Sequence, residues 1–375
     1  MEQSLVNFMK MANLPVEACE SVTKYIQSNP DWKEKDKSSY KVIDWLLHIL
    51  NGIPKAVQIA DENDISESIL LDTLGDIGVW AKNCKKNTGE WGLSSGVCGW
   101  LDNHINGRLF KVGRLQFIPK TYDWNFMIFR NKNEKNIIAL TKDEEEYRGD
   151  GQVNGTNGIY DSVKNFKGSS QICDNNGEPY VMGTLISPYG YAINRVVRLD
   201  MDLWQEILPQ GSLVLELHIQ QEEKFDLESC RISLERIKDF ANSHYKMLAK
   251  TAGIDEESGN LDKTTNPFVA FVCTSWLLDA QIGKIMPSSS NLVQFLREFY
   301  LLPYKSSDDA TMERVFDSSP SNFNLNKPKA SQTKTSLQRA IIEFMRNGGR
   351  MRSNKGFILL EDLDEYGSER YRKMF

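Results

Sequence analysis

Glu216 and His218 are the residues whose types and spacing most clearly allow chemistry. They are separated by one residue in the apolar segment Ser212–Ile219, which has the pattern of a β-strand. Alternate side chains of a strand point to the same face, so a carboxylate and an imidazole would share one side of the sheet. Either group could take a proton from a nucleophile, directly or through water. The alternative is that both are solvated, or that the histidine is a hydrogen-bonded structural residue.

Cys273 and Ser275 carry nucleophilic groups at the end of a second apolar segment, Phe268–Cys273. A thiol or hydroxyl there could attack an acyl group if a histidine lay close. No Gly-x-Ser-x-Gly elbow surrounds them, and the six cysteines of the chain form no Cys-x-x-Cys pair. A hydrolase is therefore the weaker hypothesis, and no metal site or disulfide framework is predicted. Cys273 is interpreted as a buried apolar residue and Ser275 as a turn or capping residue.

The composition is that of a mildly acidic globular protein. The chain has 375 residues, of which 40% are hydrophobic and 26% are charged, and its formal net charge is −6. This length predicts two modules. The acidic balance argues against nucleic-acid binding, and no apolar run reaches the roughly 20 residues that cross a bilayer. The first residues lack the pattern of a signal peptide. We therefore predict a cytoplasmic protein with no nucleic-acid or membrane partner.

The first hundred residues have the periodicity of amphipathic helices. Four helices are predicted: one starting at Pro15, one capped by Ser38 or Ser39 and stopped by Gly52 and Pro54, one from Ser66 to Gly89, and one around Trp100 that ends at Gly107.

Strand-like alternation begins at Leu109. The next elements predicted are a three-stranded meander (Leu109–Phe117, Trp124–Phe129 and Asn136–Leu140), a long polar loop over 141–180, a hairpin (Tyr180–Ser187 and Tyr191–Leu199) and a short helix from Asp200 to Trp204. Strands and helices then alternate: Ser212–Ile219, a helix over Asp226–Leu248, Phe268–Cys273, a helix over Leu292–Phe299, a weak strand at Met312–Phe316, a helix over Thr335–Arg346 and a strand at Gly356–Leu360. This order predicts an α/β (α+β) fold with a helical N-terminal part.

Three segments resemble a bacterial family of acyltransferase domain-containing proteins. They are Gly113–Phe117, Leu215–Ile219, and Cys273–Asp279 with the downstream pairs Met286-Pro287, Ser290-Asn291 and Gln294-Phe295. The tail Leu337–Ala340 with Gly348-Gly349-Arg350 is also similar. This family pairs an N-acyltransferase N-terminal domain with a C-terminal domain like that of the GNAT acyltransferases. The resemblance implies the first domain over 1–145 and the second, with a mixed, splayed β-sheet flanked by helices, over 146–375.

The resemblance implies acyl-CoA as co-substrate and an amine of unknown identity as acceptor. In the GNAT fold, two central strands splay apart and expose backbone amides to the pantetheine arm. This places Leu217, Ile219 and Ser275 beside the cofactor. Glu216 or His218 would be the base, and Tyr300 would protonate the leaving thiolate, as a tyrosine often does in this region of such enzymes. The alternative for Tyr300 is a packing role at the end of a helix.

The basic tail offers a further cofactor contact. Arg350 and Arg352 follow the glycine pair and could hold the adenosine phosphate of CoA. The alternative is that they complement the end of the preceding helix. The segment Gln220–Phe225 has no glycine, unlike the usual GNAT phosphate loop. This departure favours the alternative to an acyltransferase, which is a non-catalytic binding or scaffold protein on a degenerate GNAT fold.

Overall fold

The computed structural model describes residues 2–175, 178–220, 225–254 and 267–373. The chain divides into two compact units that are not continuous in sequence. The first unit comprises Met1–Lys120, Leu215–Lys224 and Ile232–Asn266, and the second comprises Thr121–Val214, Phe225–Arg231 and Pro267–Phe375.

The elements are numbered in chain order. The helices are α1 (Glu2–Met11), α2 (Val16–Ser28), α3 (Val42–Leu50), α4 (Ile53–Glu62), α5 (Glu67–Leu74), α6 (Asp76–Thr88), α7 (Ser95–Ile105), α8 (Leu227–Ser243), α9 (Tyr245–Thr251), α10 (Ile282–Ile285), α11 (Asn291–Arg297), α12 (Asp309–Phe316), α13 (Ser336–Arg346) and α14 (Arg370–Lys373). The strands are β1 (Phe110–Val112), β2 (Leu115–Thr121), β3 (Phe126–Asn131), β4 (Ile137–Thr141), β5 (Glu146–Tyr147), β6 (Phe166–Lys167), β7 (Ser170–Asn175), β8 (Glu178–Ser187), β9 (Tyr191–Asp200), β10 (Trp204–Glu206), β11 (Leu213–Ile219), β12 (Phe268–Ser275), β13 (Tyr300–Leu302) and β14 (Asn354–Leu359). The predicted α/β class with a helical N-terminal part is confirmed.

The first unit is built around the helices α1 to α7. Their apolar faces form one core, which includes Leu46, Leu47, Leu50, Ile77 and Leu101. Beside this helical core lie the antiparallel pair of β1 and β2 and the strand β11, which is hydrogen-bonded to β2. This arrangement places the strand that carries Glu216 and His218 in the same unit as the N-terminal helices.

The second unit contains two larger groups of paired strands. In the first, β14 lies between β12 and β13 and is antiparallel to both. In the second, the order is β10-β3-β4-β8-β7, and β9 also pairs with β8. A core of buried side chains, including Tyr122, Ile128, Ile186, Val272 and Phe357, packs between elements of both groups.

Several predicted elements are confirmed. The hairpin of β8 and β9 closes where predicted, and the predicted strands at Ser212–Ile219 and Phe268–Cys273 are β11 and β12. Thr335 caps α13 through a capping box with Gln338, and Asp226 accepts a hydrogen bond from the backbone N–H of Ser229 at the start of α8.

The helical predictions needed three corrections. Pro54 was predicted to stop a helix, but it lies in the first turn of the next helix, α4. Proline is well tolerated at that position because its missing N–H is not needed there. The helix predicted from Ser66 to Gly89 is two helices, which meet at Gly75. The predicted cap at Ser38 or Ser39 is wrong, since α3 begins after Lys41 with Asp44 in a capping arrangement.

The strand predictions also needed correction. The segment predicted as one strand over Leu109–Phe117 is the hairpin of β1 and β2, which turns at Gly113 with a φ of 67°. The three-stranded meander is therefore wrong, and β3 lies between β4 and β10. The polar stretch 141–180 contains β5 and β6, which pair with each other, and β7, an edge strand that pairs with β8. An edge strand can be polar because one side of it faces solvent.

Two short elements were predicted as the wrong type. The helix predicted from Asp200 to Trp204 is a turn followed by β10, and the Asp200 carboxylate accepts the backbone N–H of Asp202 in that turn. The weak strand predicted at Met312–Phe316 is the end of α12, in which these two buried residues are one helical turn apart.

No described helix combines the length and the apolar composition needed to cross a bilayer. Within the described ranges, no cluster of His, Cys, Asp and Glu side chains could hold a metal ion.

Candidate functional site

The pair predicted on β11 is present. His218 Nε2 lies 3.2 Å from Glu216 Oε2, and both side chains lie on the same face of the strand. The Glu216 side chain is 16% exposed and that of His218 is 29% exposed. The residue between them, Leu217, is buried in the opposite direction. Strand alternation thus produces a partly shielded carboxylate–imidazole pair that solvent can still reach.

A lysine on the neighbouring strand forms an ion pair with the Glu216 carboxylate. Lys120 Nζ, on β2, lies 2.8 Å from Glu216 Oε2. Burial alone would raise the pKa of Glu216, but the hydrogen bonds and charges of His218 and Lys120 lower it to about 2. Glu216 is therefore a carboxylate throughout the physiological pH range.

This hydrogen bond assigns the roles of the two imidazole nitrogens in His218. A carboxylate can only accept, so His218 Nε2 must donate its proton to Glu216. In the neutral imidazole, Nδ1 then carries the lone pair. A glutamate with a pKa near 2 is a weak base at neutral pH, whereas an oriented imidazole is an effective one. The geometry favours His218 as base and Glu216 as the group that orients it.

Trp100 covers one side of the pair. Its indole is 4.9 Å from the His218 imidazole between ring centroids, and the planes meet at 68°, an edge-to-face contact. Trp100 lies on α7, so the helical core of the first unit provides one wall of the site. The contact leaves fewer rotamers for His218.

A buried carboxylate lies behind Trp100. Asp76, in the first turn of α6, is 2% exposed. Its Oδ2 accepts three hydrogen bonds, from Trp80 Nε1 at 3.3 Å, Trp100 Nε1 at 3.2 Å and His104 Nε2 at 3.0 Å. Its Oδ1 accepts a fourth, from Gln220 Nε2 at 2.7 Å. These bonds join α6, α7 and the residue that follows β11.

The charge of Asp76 is stabilised by these donors. Burial alone would raise the pKa of its carboxyl group, but the hydrogen bond and attraction of His104, together with the bond from Trp100, hold that pKa below the usual range. Asp76 is therefore ionised in the folded protein at neutral pH.

The predicted cofactor residues on β11 have different environments. Leu217 is 1% exposed, whereas Ile219 is half-buried near the end of the strand. Gln220, the first residue of the glycine-free segment, is buried and bound to Asp76. Residues 221–224 of that segment lie outside the described residues.

The remaining cofactor predictions, Ser275, Arg350 and Arg352, fall in the second unit. Ser275 ends β12, and its hydroxyl accepts the backbone N–H of Leu277. Arg352 has a side chain that is 13% exposed, with its Nε 3.7 Å from the buried carboxylate of Asp279. Burial raises the pKa of Asp279 and lowers that of Arg352, so this pair lies in a low-dielectric environment.

Arg350 differs from Arg352 in exposure. Its side chain is 58% exposed and forms an ion pair with Asp308 at 3.3 Å. Both arginines thus have acidic neighbours in the described structure, and Arg350 is the more accessible to a phosphate.

Tyr300, the predicted acid, is the first residue of β13. It stacks on Phe357 with ring centroids 5.2 Å apart and is 1% exposed. Its hydroxyl donates to the backbone oxygen of Ile186 at 2.6 Å and accepts the backbone N–H of Ala139 at 3.2 Å. Burial raises its pKa above the usual value. Its hydroxyl is therefore bonded on both sides within the core.

Sequence reasoning missed three residues of the site: Lys120, Trp100 and Asp76. Lys120 lies beyond the strand predicted over Leu109–Phe117, because β2 continues to Thr121. Trp100 and Asp76 were assigned to helices, and no local pattern indicates that they approach a strand more than a hundred residues later. Asp76 carried one usable signal, an acid just after Gly75 at the start of a helix.

Comparisons with known proteins agree with this architecture. The family model for the N-acyltransferase N-terminal domain matches residues 9–107, and that for the GNAT-like C-terminal domain matches residues 109–358. No curated protein matches the chain.

Solved structures provide a comparison of folds. An acyltransferase in complex with decanoyl-CoA and teicoplanin is 14% identical, with a TM-score of 0.55 over 94% of this chain and 87% of its own. A mutant acyltransferase in complex with octanoyl-CoA is also 14% identical, with a TM-score of 0.55 over 96% of this chain and 88% of its own. The chain spans 64% of a third, in complex with CoA and 10C-teicoplanin, at 16% identity and a TM-score of 0.49 over 83% of this chain. At these identities the likeness concerns the fold.

Proposed function

Because this chain belongs to the family that joins an N-acyltransferase N-terminal domain to a GNAT-like C-terminal domain, we propose that it transfers an acyl group from acyl-CoA to an amine. The observation that carries the proposal is the Glu216–His218 pair at the end of β11, inside the matched GNAT-like region. The similar folds that hold acyl-CoA support the choice of donor.

The proposed reaction is a direct attack on the thioester. The amine nitrogen forms a bond with the carbonyl carbon, and His218 Nδ1 accepts the proton that the nitrogen loses. The tetrahedral intermediate then collapses with cleavage of the C–S bond, so the products are an amide and CoA, whose sulfur takes up a proton. Glu216 keeps the imidazole in the tautomer that this step needs and stabilises the imidazolium.

Two cofactor contacts remain part of the proposal. The backbone beside Leu217 and Ile219 would face the pantetheine arm, as the family resemblance implies. We propose that exposed Arg350, rather than buried Arg352, is the arginine that could reach a phosphate of CoA. Tyr300 receives a structural role in this proposal, because its hydroxyl already donates to Ile186.

The test measures CoA release by the purified protein. We expect acetyl-, octanoyl- or decanoyl-CoA, offered with a panel of primary amines, to yield free CoA thiol only when an amine is present. The variant His218→Gln should lose about a hundredfold or more in kcat, since general-base catalysis supplies 10²–10⁴-fold. Binding of acyl-CoA, followed by calorimetry, should be unchanged.

A matched control is His48→Gln. His48 also packs edge-on against a tryptophan, Trp45, but is far along the chain from β11. It should leave kcat unchanged. Acyl-CoA binding without turnover would favour the non-catalytic alternative, and the absence of both binding and turnover would overturn the proposal.

A further inference from the structure

Asp76 has more hydrogen-bond donors than its position requires. An acid in the first turn of a helix is stabilised by the helix dipole and by backbone N–H groups, and it is usually exposed. Asp76 is instead buried and accepts side-chain hydrogen bonds from α6, from α7 and from the residue after β11. A buried carboxylate is costly unless it is fully bonded, so its surroundings are strongly specified.

Two of these bonds lead to the strand that carries the proposed base. Through Trp100, whose N–H is 3.2 Å from Oδ2, Asp76 fixes the indole that packs against the His218 ring. Through Gln220, whose amide is 2.7 Å from Oδ1, it holds the backbone two residues beyond His218. One side chain therefore restrains both the ring of His218 and the end of its strand.

We infer that Asp76 is a positioning residue, which sets the orientation of His218 through Trp100 and Gln220. This inference rests on the proposed function, in which His218 is the base. Misplacing a reacting group by about 1 Å can reduce the rate by about a hundredfold, so a remote restraint of this kind affects catalysis.

The charged and titratable groups around His218 come from four elements. Glu216 on β11 contacts it directly, and Lys120 on β2 acts through Glu216. Asp76 on α6 acts through Trp100, which donates a hydrogen bond to it. His104 on α7 acts through Asp76, to which it is hydrogen-bonded. Substitution of Asp76 leaves the contacts of His218 with Glu216, and of Glu216 with Lys120, in place. Any effect of the substitution on His218 is therefore expected to act through Trp100 and Gln220.

The experiment compares Asp76→Asn with Asp44→Asn. Asp44 is an equally buried carboxylate of the first unit, on α3, and it is bonded to Tyr25 and Lys35 rather than to any neighbour of His218. We expect Asp76→Asn to lower kcat by about 10- to 100-fold while KM for acyl-CoA stays within about twofold. Asp44→Asn should leave both constants unchanged, although both variants lose stability in urea unfolding.

A second readout does not need activity. The chain has 4 histidines, so selective labelling allows the ring signals of His218 to be followed by NMR in the resting protein. We expect Asp76→Asn to shift or broaden these signals and Asp44→Asn to leave them in place. This arm separates the two proposals, because it tests the positioning of His218 even if the wild-type protein transfers no acyl group.

Two milder variants provide a test that does not depend on whether Asp76→Asn folds. Trp100→Phe and Trp80→Phe each remove one indole N–H that donates to the same oxygen of Asp76, at 3.2 and 3.3 Å. Trp100 packs edge-to-face against His218, so Trp100→Phe should lower kcat more than Trp80→Phe does. Equal kinetic effects of the two tryptophan variants, or unchanged His218 signals in folded Asp76→Asn, would overturn the inference.

Discussion

The Glu216→Gln substitution tests the electrostatics of the site through stability. The folded-state pKa of Glu216 is lowered from 4.5 to about 2, so its carboxylate contributes stability that is present above pH 4.5 and is lost as the pH falls toward 2. Glutamine has a similar shape and carries no charge at any pH. The difference between wild type and variant therefore reports the charge of Glu216 and its pairing with His218 and Lys120.

The expected magnitude follows from linkage between the two pKa values. The contribution of the carboxylate is about 3 kcal/mol at pH 5, and it falls to about 1.4 kcal/mol at pH 3. We therefore expect the difference in the free energy of unfolding to shrink by about 2 kcal/mol between these two pH values.

The assay is urea unfolding of wild type and variant at several pH values from 7 to 3. Glu228→Gln is the control, since Glu228 also pairs with a cation, Arg231, but its side chain is 63% exposed. An exposed pair of this kind contributes little, so this variant should follow the wild type at every pH. A wild-type–Glu216→Gln difference that stays constant from pH 5 to pH 3 would refute the assignment of the lowered pKa to His218 and Lys120.

Two further outcomes are expected. Tyr300→Phe should destabilise the protein by about 1–3 kcal/mol in urea unfolding, because it leaves two backbone groups of the core without a partner, and kcat should stay near the wild-type value. A hundredfold loss of kcat in the folded variant would instead restore Tyr300 as the acid. Replacing Arg350 with Ala should weaken CoA about tenfold in calorimetry and leave dephospho-CoA unchanged, whereas Arg352→Ala should mainly lower stability through loss of its contact with Asp279. Equal weakening of both ligands by Arg350→Ala would argue against a phosphate contact.

The sequence was sufficient to predict the carboxylate–imidazole pair of the candidate site. Glu216 and His218 are two residues apart in a strongly apolar strand, so the alternation of the strand alone brings their side chains together. The predicted start of α13 at Thr335 is equally local, since Thr335 caps this helix through a capping box with Gln338, three residues later. Predictions of this kind succeed because the chemistry is encoded within one turn of a helix or one repeat of a strand.

The surroundings of the pair depend on contacts that no local pattern encodes. Gln220 and Asp76 are 144 residues apart, and only the packing of the helical core against β11 brings them together. The errors in predicting single helices and strands had a different origin, because the same residue pattern is compatible with two kinds of element. Pro54 was interpreted as a stop although it begins α4, and an apolar stretch with a glycine at position 113 was interpreted as one strand although it turns there.

The interleaved composition of the two units has a consequence for how the chain folds during synthesis. Domains generally fold as units as they emerge from the ribosome, N-terminal first. The first unit, however, takes its last residues from as far along the chain as Asn266, after the whole of the second unit's first stretch, Thr121–Val214, has been made. Its helical core can assemble early, but β2 then presents an unpaired edge until residues 215–219 arrive. The nascent chain therefore passes through a stage in which that edge is open to pairing with other chains, and a pause in translation before residue 215 would prolong it.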